Sequence, residues 1–271
     1  MQSIRRTRLI RQIHPKPSLG LIGFGVFGRL IAHHLAQFFE IVVFDPRLPT
    51  EQDIYLGEGT ARSARIAEAA SQNITIFAVP TSQLRGAVRD ARDHFAPGSL
   101  VLDVASVKVT PSQIFIDELP SHVVPVCTHP LFGPQSSSLG IVGHKIVLCP
   151  VGGRQIPRSV IRFLQTRLKL QVFLRSPEEH DRELATVQGV THLVAITQII
   201  ARMKIEQGSL STRSFELLMS AIDMVRNDSA EVFYSICAQN PFAKEIRDEF
   251  IMSALQTRDM IDRSSALEEA A

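Results

Sequence analysis

Leu19-Gly20-Leu21-Ile22-Gly23-Phe24-Gly25-Val26-Phe27-Gly28-Arg29-Leu30 reads as a short apolar run, a glycine turn and the start of a helical apolar pattern. Seventeen positions after Gly28, Asp45 closes a second apolar run, Ile41-Val42-Val43-Phe44. Strand, glycine turn, helix, strand and acid, in that order, are the parts of a dinucleotide site. Gly23 permits the tight turn, Gly25 lets the backbone approach a pyrophosphate, and Gly28 lets the helix pack close to the strand. The helix N-terminus offers free N–H groups and a partial positive charge to the phosphates. Phe24, Val26 and Phe27 complete the loop and join the cofactor-binding candidates. A glycine turn in an α/β domain that binds no nucleotide is the plainer alternative.

Around this stretch, strand and helix signals alternate. Strand candidates are 19–22, 41–44, 74–79, 100–104, 123–127 and 145–149, mostly continuous Val- and Ile-rich runs. Such runs suit a parallel sheet covered on both faces. Helix candidates at 26–39, 61–71, 83–95 and 111–119 lie between them, and a last unit, 157–168 then 171–174, extends the sheet. From Ser176 the character changes. Ser176-Pro177-Glu178-Glu179 is a capping box with proline at the first helical position. A long proline-free run to about Lys204 follows, then helical segments at 214–224, 229–238 and 241–263. The expected fold class is α/β: a Rossmann-type, doubly wound parallel sheet followed by an all-helical C-terminal domain. The expected domains are a basic arm over 1–18, a dinucleotide-binding domain over 19–175 and a helical substrate and dimerisation domain over 176–271. So small a helical domain has little core of its own, and a homodimer is expected.

The composition narrows the function classes. With 45% hydrophobic and 21% charged residues, the 271-residue chain reads as an ordinary globular protein. A net charge of +2 gives no case for nucleic acid, and no apolar run is long enough for a membrane span. Cys127, Cys149 and Cys237 match no zinc spacing, so no metal is expected, and their odd, scattered placement suits a reducing cytoplasm. The arm carrying Arg5, Arg6, Arg8, Arg11 and Lys16 lacks a secretory signal's apolar core. Organelle import of a longer precursor stays open.

In an open parallel sheet, ligands bind at the C-terminal strand ends. Val79, Pro80 and Thr81 follow the third strand and are cofactor-binding candidates. Ser106 and Lys108 follow the fourth. Thr128-His129-Pro130-Leu131-Phe132-Gly133-Pro134-Gln135-Ser136 follows the fifth, and Gln135 and Ser136 are counted as substrate-binding candidates. A neutral His129 imidazole, held by the rigid Pro and Gly-Pro residues after it, could take a proton from a substrate hydroxyl while hydride leaves the same carbon. Ser106 could hold the same oxygen, and Lys108 adds a positive charge. The plainer alternatives are a loop histidine that caps backbone groups and a solvated lysine at a helix start.

GFGVFG, AVP at Ala78–Pro80, ASVK at Ala105–Lys108, THPLFGPQS at Thr128–Ser136 and the EHD…QGVTH spacing from Glu179 to His192 together resemble the prephenate/arogenate dehydrogenase family of tyrosine biosynthesis. The segment from Phe215 to Ala243 is also similar to the plant-type members. The resemblance implies an oxidative decarboxylation. Hydride passes from a ring carbinol to NAD(P)+, the ring carboxylate leaves as CO2, and the ring becomes aromatic, giving tyrosine or 4-hydroxyphenylpyruvate. It also implies His129 as base, Ser106 as its hydrogen-bonding companion and His192 as a substrate contact. Gln188 lies one turn before His192 on the same helix face. Arg213 and Arg226 are candidates for the substrate's side-chain carboxylate.

Asp45 can bond the adenosine ribose hydroxyls and repel a 2′-phosphate, which favours NAD. Arg47 could accept that phosphate, and plant-type members prefer NADP. Asp228 could meet the ammonium of arogenate, which prephenate lacks, or could cap the helix that starts near Ser229. Arogenate is slightly favoured. Two other readings remain: a β-hydroxyacid-type dehydrogenase, which would need a lysine on the long helix, and a non-catalytic dinucleotide-sensing protein, which leaves Ser106, Lys108 and His129 unexplained.

Overall fold

A computed structural model describes residues 16–57, 59–200, 210–226 and 228–269. The arm through residue 15 and Lys204 lie outside the described residues. Nine strands form one sheet: β1 (Ser18–Ile22), β2 (Glu40–Phe44), β3 (Asp53–Tyr55), β4 (Thr60–Ser63), β5 (Ile74–Phe77), β6 (Leu100–Asp103), β7 (Val124–Pro130), β8 (Lys145–Pro150) and β9 (Gln171–Leu174). Their order is β3-β4-β2-β1-β5-β6-β7-β8-β9, with β1 near the centre. The β2–β1–β5 reversal of direction leaves a crevice at the C-terminal strand ends, where α/β folds bind ligands.

Alternation along the central strands feeds two cores. Leu19 and Leu21 pack with Ala32 and Leu35 of α1 (Val26–Leu35) and with Phe163 and Leu164 of α5 (Arg158–Thr166) on one face. Ile22 packs on the other face, with Ala69 of α2 (Ile66–Ala70), Leu84 and Val88 of α3 (Thr81–Ala91) and Phe115 of α4 (Val109–Glu118). Both faces are covered, as continuous Val/Ile runs require.

Two expectations are corrected. The sheet is mixed: β8 pairs antiparallel with β7, and β3 pairs antiparallel with β4. A parallel crossover needs a dozen or more residues, usually a helix. Residues 131–144 hold only turns and bends, so the chain simply reverses. The helix expected over 61–71 is divided: Thr60–Ser63 is a strand, and only Ile66–Ala70 is helical. This edge hairpin is held by polar contacts, with Ser63 Oγ donating to the Pro49 carbonyl at 2.6 Å and accepting from Gln52 N at 2.8 Å. Its TARS sequence carries no Val/Ile run to signal a strand.

Among the described residues after β9 every regular element is helical: α6 (Pro177–Ile200), α7 (Arg213–Arg226), α8 (Ala230–Tyr234), a π-turn over Ser235–Gln239, and α9 (Ala243–Glu269). The α6 start is a reciprocal capping box: Ser176 N donates to Glu179 Oε2 at 2.8 Å, and Glu179 N donates to Ser176 Oγ at 3.1 Å. Both α7 and α9 pack along α6. Among the described residues no helix is long and apolar enough to cross a membrane.

Candidate active site

Gly23 adopts φ +99°, and a Cβ there would lie 2.4 Å from the Ala78 carbonyl oxygen. Gly28 has no room either, since a Cβ would stand 2.3 Å from the Gly23 carbonyl oxygen. At Gly25 a Cβ would meet nothing within 4 Å. The turn is thus packed tight on the protein side and open on the other, at the uncapped N-terminus of α1. A pyrophosphate needs that combination of open space and unsatisfied N–H groups. Phe24 is buried, and Val26 is exposed at the helix start. Val79 packs on the turn, its Cγ1 2.9 Å from where a Gly23 Cβ would be. Pro80 caps α3, and the Thr81 hydroxyl turns 3.2 Å from Ser235 Oγ, towards the helical half.

Asp45, just past β2, is buried. Its Oδ2 accepts from Phe24 N at 2.8 Å, which ties the acid to the glycine turn. The Arg47 guanidinium covers both oxygens, at 2.8 Å to Oδ1 and 2.7 Å to Oδ2. These bonds, the Arg47 side chain foremost, hold the Asp45 carboxyl far below the ordinary carboxylate range. The Arg47 side chain itself is 73% exposed.

His129 lies within β7, one residue before its end, because β7 runs on to Pro130 by pairing with β8. It is 4% exposed. Its Nδ1 is 2.8 Å from His180 Nε2, and His180 Nδ1 is 2.7 Å from Asp181 Oδ1. His129 Nε2 has no partner among the described residues and is not sealed from the surface. Burial first, then His180 and Lys108, push the His129 imidazole well below its usual pKa. It is a neutral ring with one free nitrogen.

The fourth strand's loop behaves differently from expectation. Lys108 is fully buried. Its Nζ bonds the Asp103 carboxylate and donates to the Thr128 carbonyl at 2.6 Å. The expectation that Lys108 contacts substrate is corrected, since its charge is consumed inside the protein and ties the ends of β6 and β7 together. Ser106, half-buried, makes no hydrogen bond to the described residues. It follows β6 by three residues, and β6 pairs with β7, the strand that carries His129.

On α6, His192 places Nδ1 2.8 Å from the Gln188 carbonyl and Nε2 3.2 Å from Asp228 Oδ2. Gln188 Oε1 is buried with no hydrogen-bond partner. The N-cap of α8 is Ser229, whose Oγ accepts from Val232 N, so Asp228 is not the cap and turns to His192 instead. Gln135 is half-buried, and Ser136 is exposed with its hydroxyl folded back on Gly133 N at 2.9 Å.

With this geometry in view, the comparisons are informative. Residues 48–168 match the prephenate dehydrogenase nucleotide-binding domain, and residues 176–269 match the prephenate dehydrogenase dimerization domain. The chain belongs to the prephenate dehydrogenase family. Among its relatives, a Methanocaldococcus jannaschii protein named probable arogenate/prephenate dehydrogenase is 25% identical over 86% of this chain and 54% of its own length. Arogenate dehydrogenase 2, chloroplastic, of Arabidopsis thaliana is 31% identical over 54% of this chain and 42% of its own length. The chain therefore spans about half, or less, of the curated relatives it matches. Prephenate dehydrogenase from Aquifex aeolicus, solved with hydroxyphenyl propionate and NAD+, shares the fold at TM-score 0.66 and 16% identity, over 94% of this chain and 93% of that one. Synechocystis arogenate dehydrogenase does so at TM-score 0.63 and 18% identity, over 92% and 93%.

Within this family fold, the two helical arginines stand apart from the residues around His129 and His192. Arg213 and Arg226 sit on exposed faces of α7 in ion pairs with Glu216 and Asp223, and no recorded contact links either to His129, Gln188 or His192. In the single chain α7 turns these side chains to solvent. Sequence reasoning gave His180 and Asp181 too little weight and passed over Asn240, whose Nδ2 donates to the Asp181 carbonyl at 2.7 Å. The one available signal was the His-Asp pair at the start of a helix that must pack on the sheet. Finally, α6 holds no lysine, which removes the catalytic group that a β-hydroxyacid dehydrogenase would carry there.

Proposed function

We propose that the protein oxidatively decarboxylates arogenate, with prephenate as the second substrate candidate, and that His129 accepts the proton of the ring hydroxyl. The observation that carries this reading is the buried, neutral His129 ring, with Nδ1 occupied and Nε2 free. The glycine turn and Asp45 would hold a nicotinamide dinucleotide, which when bound supplies the hydride acceptor. His129 Nε2 takes the carbinol proton as the C–H pair departs, and Ser106 positions that oxygen. Loss of CO2 returns the C–C electron pair to the ring, which becomes aromatic, and the proton goes back from Nε2 to the phenolic oxygen. Aromatisation drives the reaction, so the chain's own task is to orient the substrate, hold one proton and exclude water.

Around His192 the polar side chains with spare capacity are acceptors: the Asp228 carboxylate, which shares one oxygen with His192, and the orphaned Gln188 Oε1. A buried acceptor without a partner calls for a donor. Arogenate brings an ammonium, whereas prephenate brings a keto oxygen. The test is to follow formation of the reduced nicotinamide with each substrate and each dinucleotide, for the wild type and for Asp228→Asn. The variant is expected to lower the arogenate-to-prephenate ratio of kcat/KM about tenfold, the loss of one charged hydrogen bond. An unchanged ratio would remove Asp228 from substrate choice, and a wild type inert to both acids would overturn the reaction.

The nucleotide reading is NAD, with NADP as the alternative. Asp45 is anchored by Phe24 N and cannot swing aside, while the Arg47 side chain is largely exposed and held by that same carboxylate. Ribose hydroxyls can replace the guanidinium, but a 2′-phosphate would meet the fixed carboxylate. Asp45→Ala is expected to raise the NADP-to-NAD ratio of kcat/KM about 10- to 100-fold, because close like charges cost several kcal/mol. Arg47→Ala should lower the same ratio. No movement in Asp45→Ala would exclude Asp45 as the selector.

A homodimer fits the helical half, where Leu217 and Leu218 on α7 and Met252, Leu255 and Met260 on α9 stand exposed. Exposed apolar side chains on two helices that both pack on α6 suit a partner, and a second copy supplies it symmetrically.

A further inference from the structure

We infer that His180 and Asp181 are positioning residues that set the tautomer of His129, a chain of two imidazoles and a carboxylate that leaves His129 Nε2 as the proton acceptor. The inference rests on the assignment of His129 as base. The direction of each hydrogen bond follows from the inventory of donors. The Asp181 carboxylate offers only acceptors, and it already takes Lys108 N at 2.6 Å on Oδ1 and Val109 N at 2.9 Å on Oδ2. Facing it at 2.7 Å, His180 Nδ1 must therefore donate. With His180 taken as neutral, the premise of this inference, its Nε2 carries a lone pair and can only accept. His129 Nδ1, 2.8 Å away, must supply the hydrogen. A neutral ring that carries its hydrogen on Nδ1 has a bare Nε2, which is the nitrogen with no protein partner. With His180 neutral, each step follows from the one before it, starting from a carboxylate that belongs to the helical half.

Burial makes the chain effective. His180 and Asp181 are fully buried, so no water competes for these bonds. The rings meet edge to face, 5.0 Å between centroids, which holds His129 in orientation. Asp181 is itself fixed at a third point, where Asn240 Nδ2 donates to its carbonyl. Its bonds to Lys108 N and Val109 N also pin the start of α4, directly after the loop that carries Ser106. One carboxylate thus registers both the base and its companion against the helical domain. When Nε2 gains a proton, the resulting positive ring remains hydrogen-bonded through His180 to Asp181, which stabilises it as an orienting acid does in hydrolase triads. The charged and titratable groups around the base are His180 and Asp181 from α6 and Lys108, with its partner Asp103, from the β6–α4 loop.

The test uses the full chain with ¹⁵N-labelled histidine. Ring nitrogen shifts report which nitrogen of His129 carries hydrogen, with no substrate present. The wild type is expected to show hydrogen on Nδ1 and a bare Nε2. His180→Phe keeps a ring but removes the acceptor, and it is expected to shift His129 towards the Nε2–H form. It should lower kcat about 100-fold, leave the nucleotide Kd unchanged and move the acid limb of kcat/KM. His180→Gln retains an oxygen that can accept from His129 Nδ1, and it should restore the wild-type tautomer and much of kcat. It also serves if the Phe variant does not fold. A wild-type His129 with hydrogen on Nε2, or a His180→Phe protein with wild-type kcat and pH profile, would overturn the relay. A wild type that shows the Nδ1–H signature yet oxidises neither acid would support the relay and sink the reaction assigned above, so the two failures are separable.

Discussion

Replacing Lys108 with methionine should destabilise the protein by about 3–5 kcal/mol, the usual cost of leaving one member of a buried ion pair alone. The ammonium has no exposure and bonds both Asp103 and the Thr128 carbonyl. Without it, Asp103 keeps two backbone donors, Ala105 N at 2.9 Å and Thr128 N at 3.3 Å, but its charge has no counterpart in a region that admits no water. The Thr128 carbonyl loses its donor as well. Urea unfolding should show the midpoint falling at constant m, the sign of a change in stability with no change in compactness. Adding Asp103→Asn to Lys108→Met should recover part of the loss, since the amide is neutral and its single oxygen still accepts one of the two backbone N–H bonds. If Lys108→Met unfolded normally and only raised KM, the lysine would be reaching substrate after all, and the buried pair would be wrong.

Lys108 also shows where sequence reading reaches its limit. A lysine shortly after a strand end has two places to go, the cleft or the partner at the neighbouring strand, and nothing in ASVK distinguishes them. The deciding residue is Asp103, five positions earlier, and its role depends on β7 lying beside β6. Features encoded within a few neighbouring residues were legible. The Ser176–Glu179 box forms both of its bonds, and the glycine turn and Asp45 stand together at the β1 and β2 ends. Features that need distant chain segments were not. The antiparallel turn of β8 depends on a helix-free stretch that a run of apolar residues does not announce. Asp228 and Ser229 are equally good caps on paper, and only packing against α6 sends one to His192 and the other to Val232 N. The His129–His180 contact joins residues 51 positions apart, and a histidine on a helix says nothing of its partner until the helix is docked.

On the proposed mechanism, His129→Asn should cost about 10³-fold in kcat/KM, within the range expected when a positioned base is lost. Asparagine is the informative replacement. Its Nδ2 takes the place of imidazole Nδ1 and can still donate to His180 Nε2, so the buried chain stays satisfied. What disappears is Nε2, the nitrogen that would hold the proton. Folding and nucleotide affinity are therefore expected to survive, and fluorescence titration with NAD checks the second. The pH dependence gives a second handle. Burial, His180 and Lys108 lower the pKa of His129 in the folded protein, so the ring is neutral at pH 7 and the acid limb of wild-type kcat/KM should lie below the ordinary histidine value of 6.5. In the variant this limb should vanish. Stability must follow with the same sign. As pH falls through 6.5, the unfolded chain binds a proton at His129 before the folded protein does, so folding weakens progressively down to the folded pKa. His129→Asn removes that contribution, and its unfolding midpoint should decline less steeply with acid than the wild type's. Full turnover in a folded His129→Asn protein would leave the carbinol proton without an acceptor and the proposed chemistry without a base.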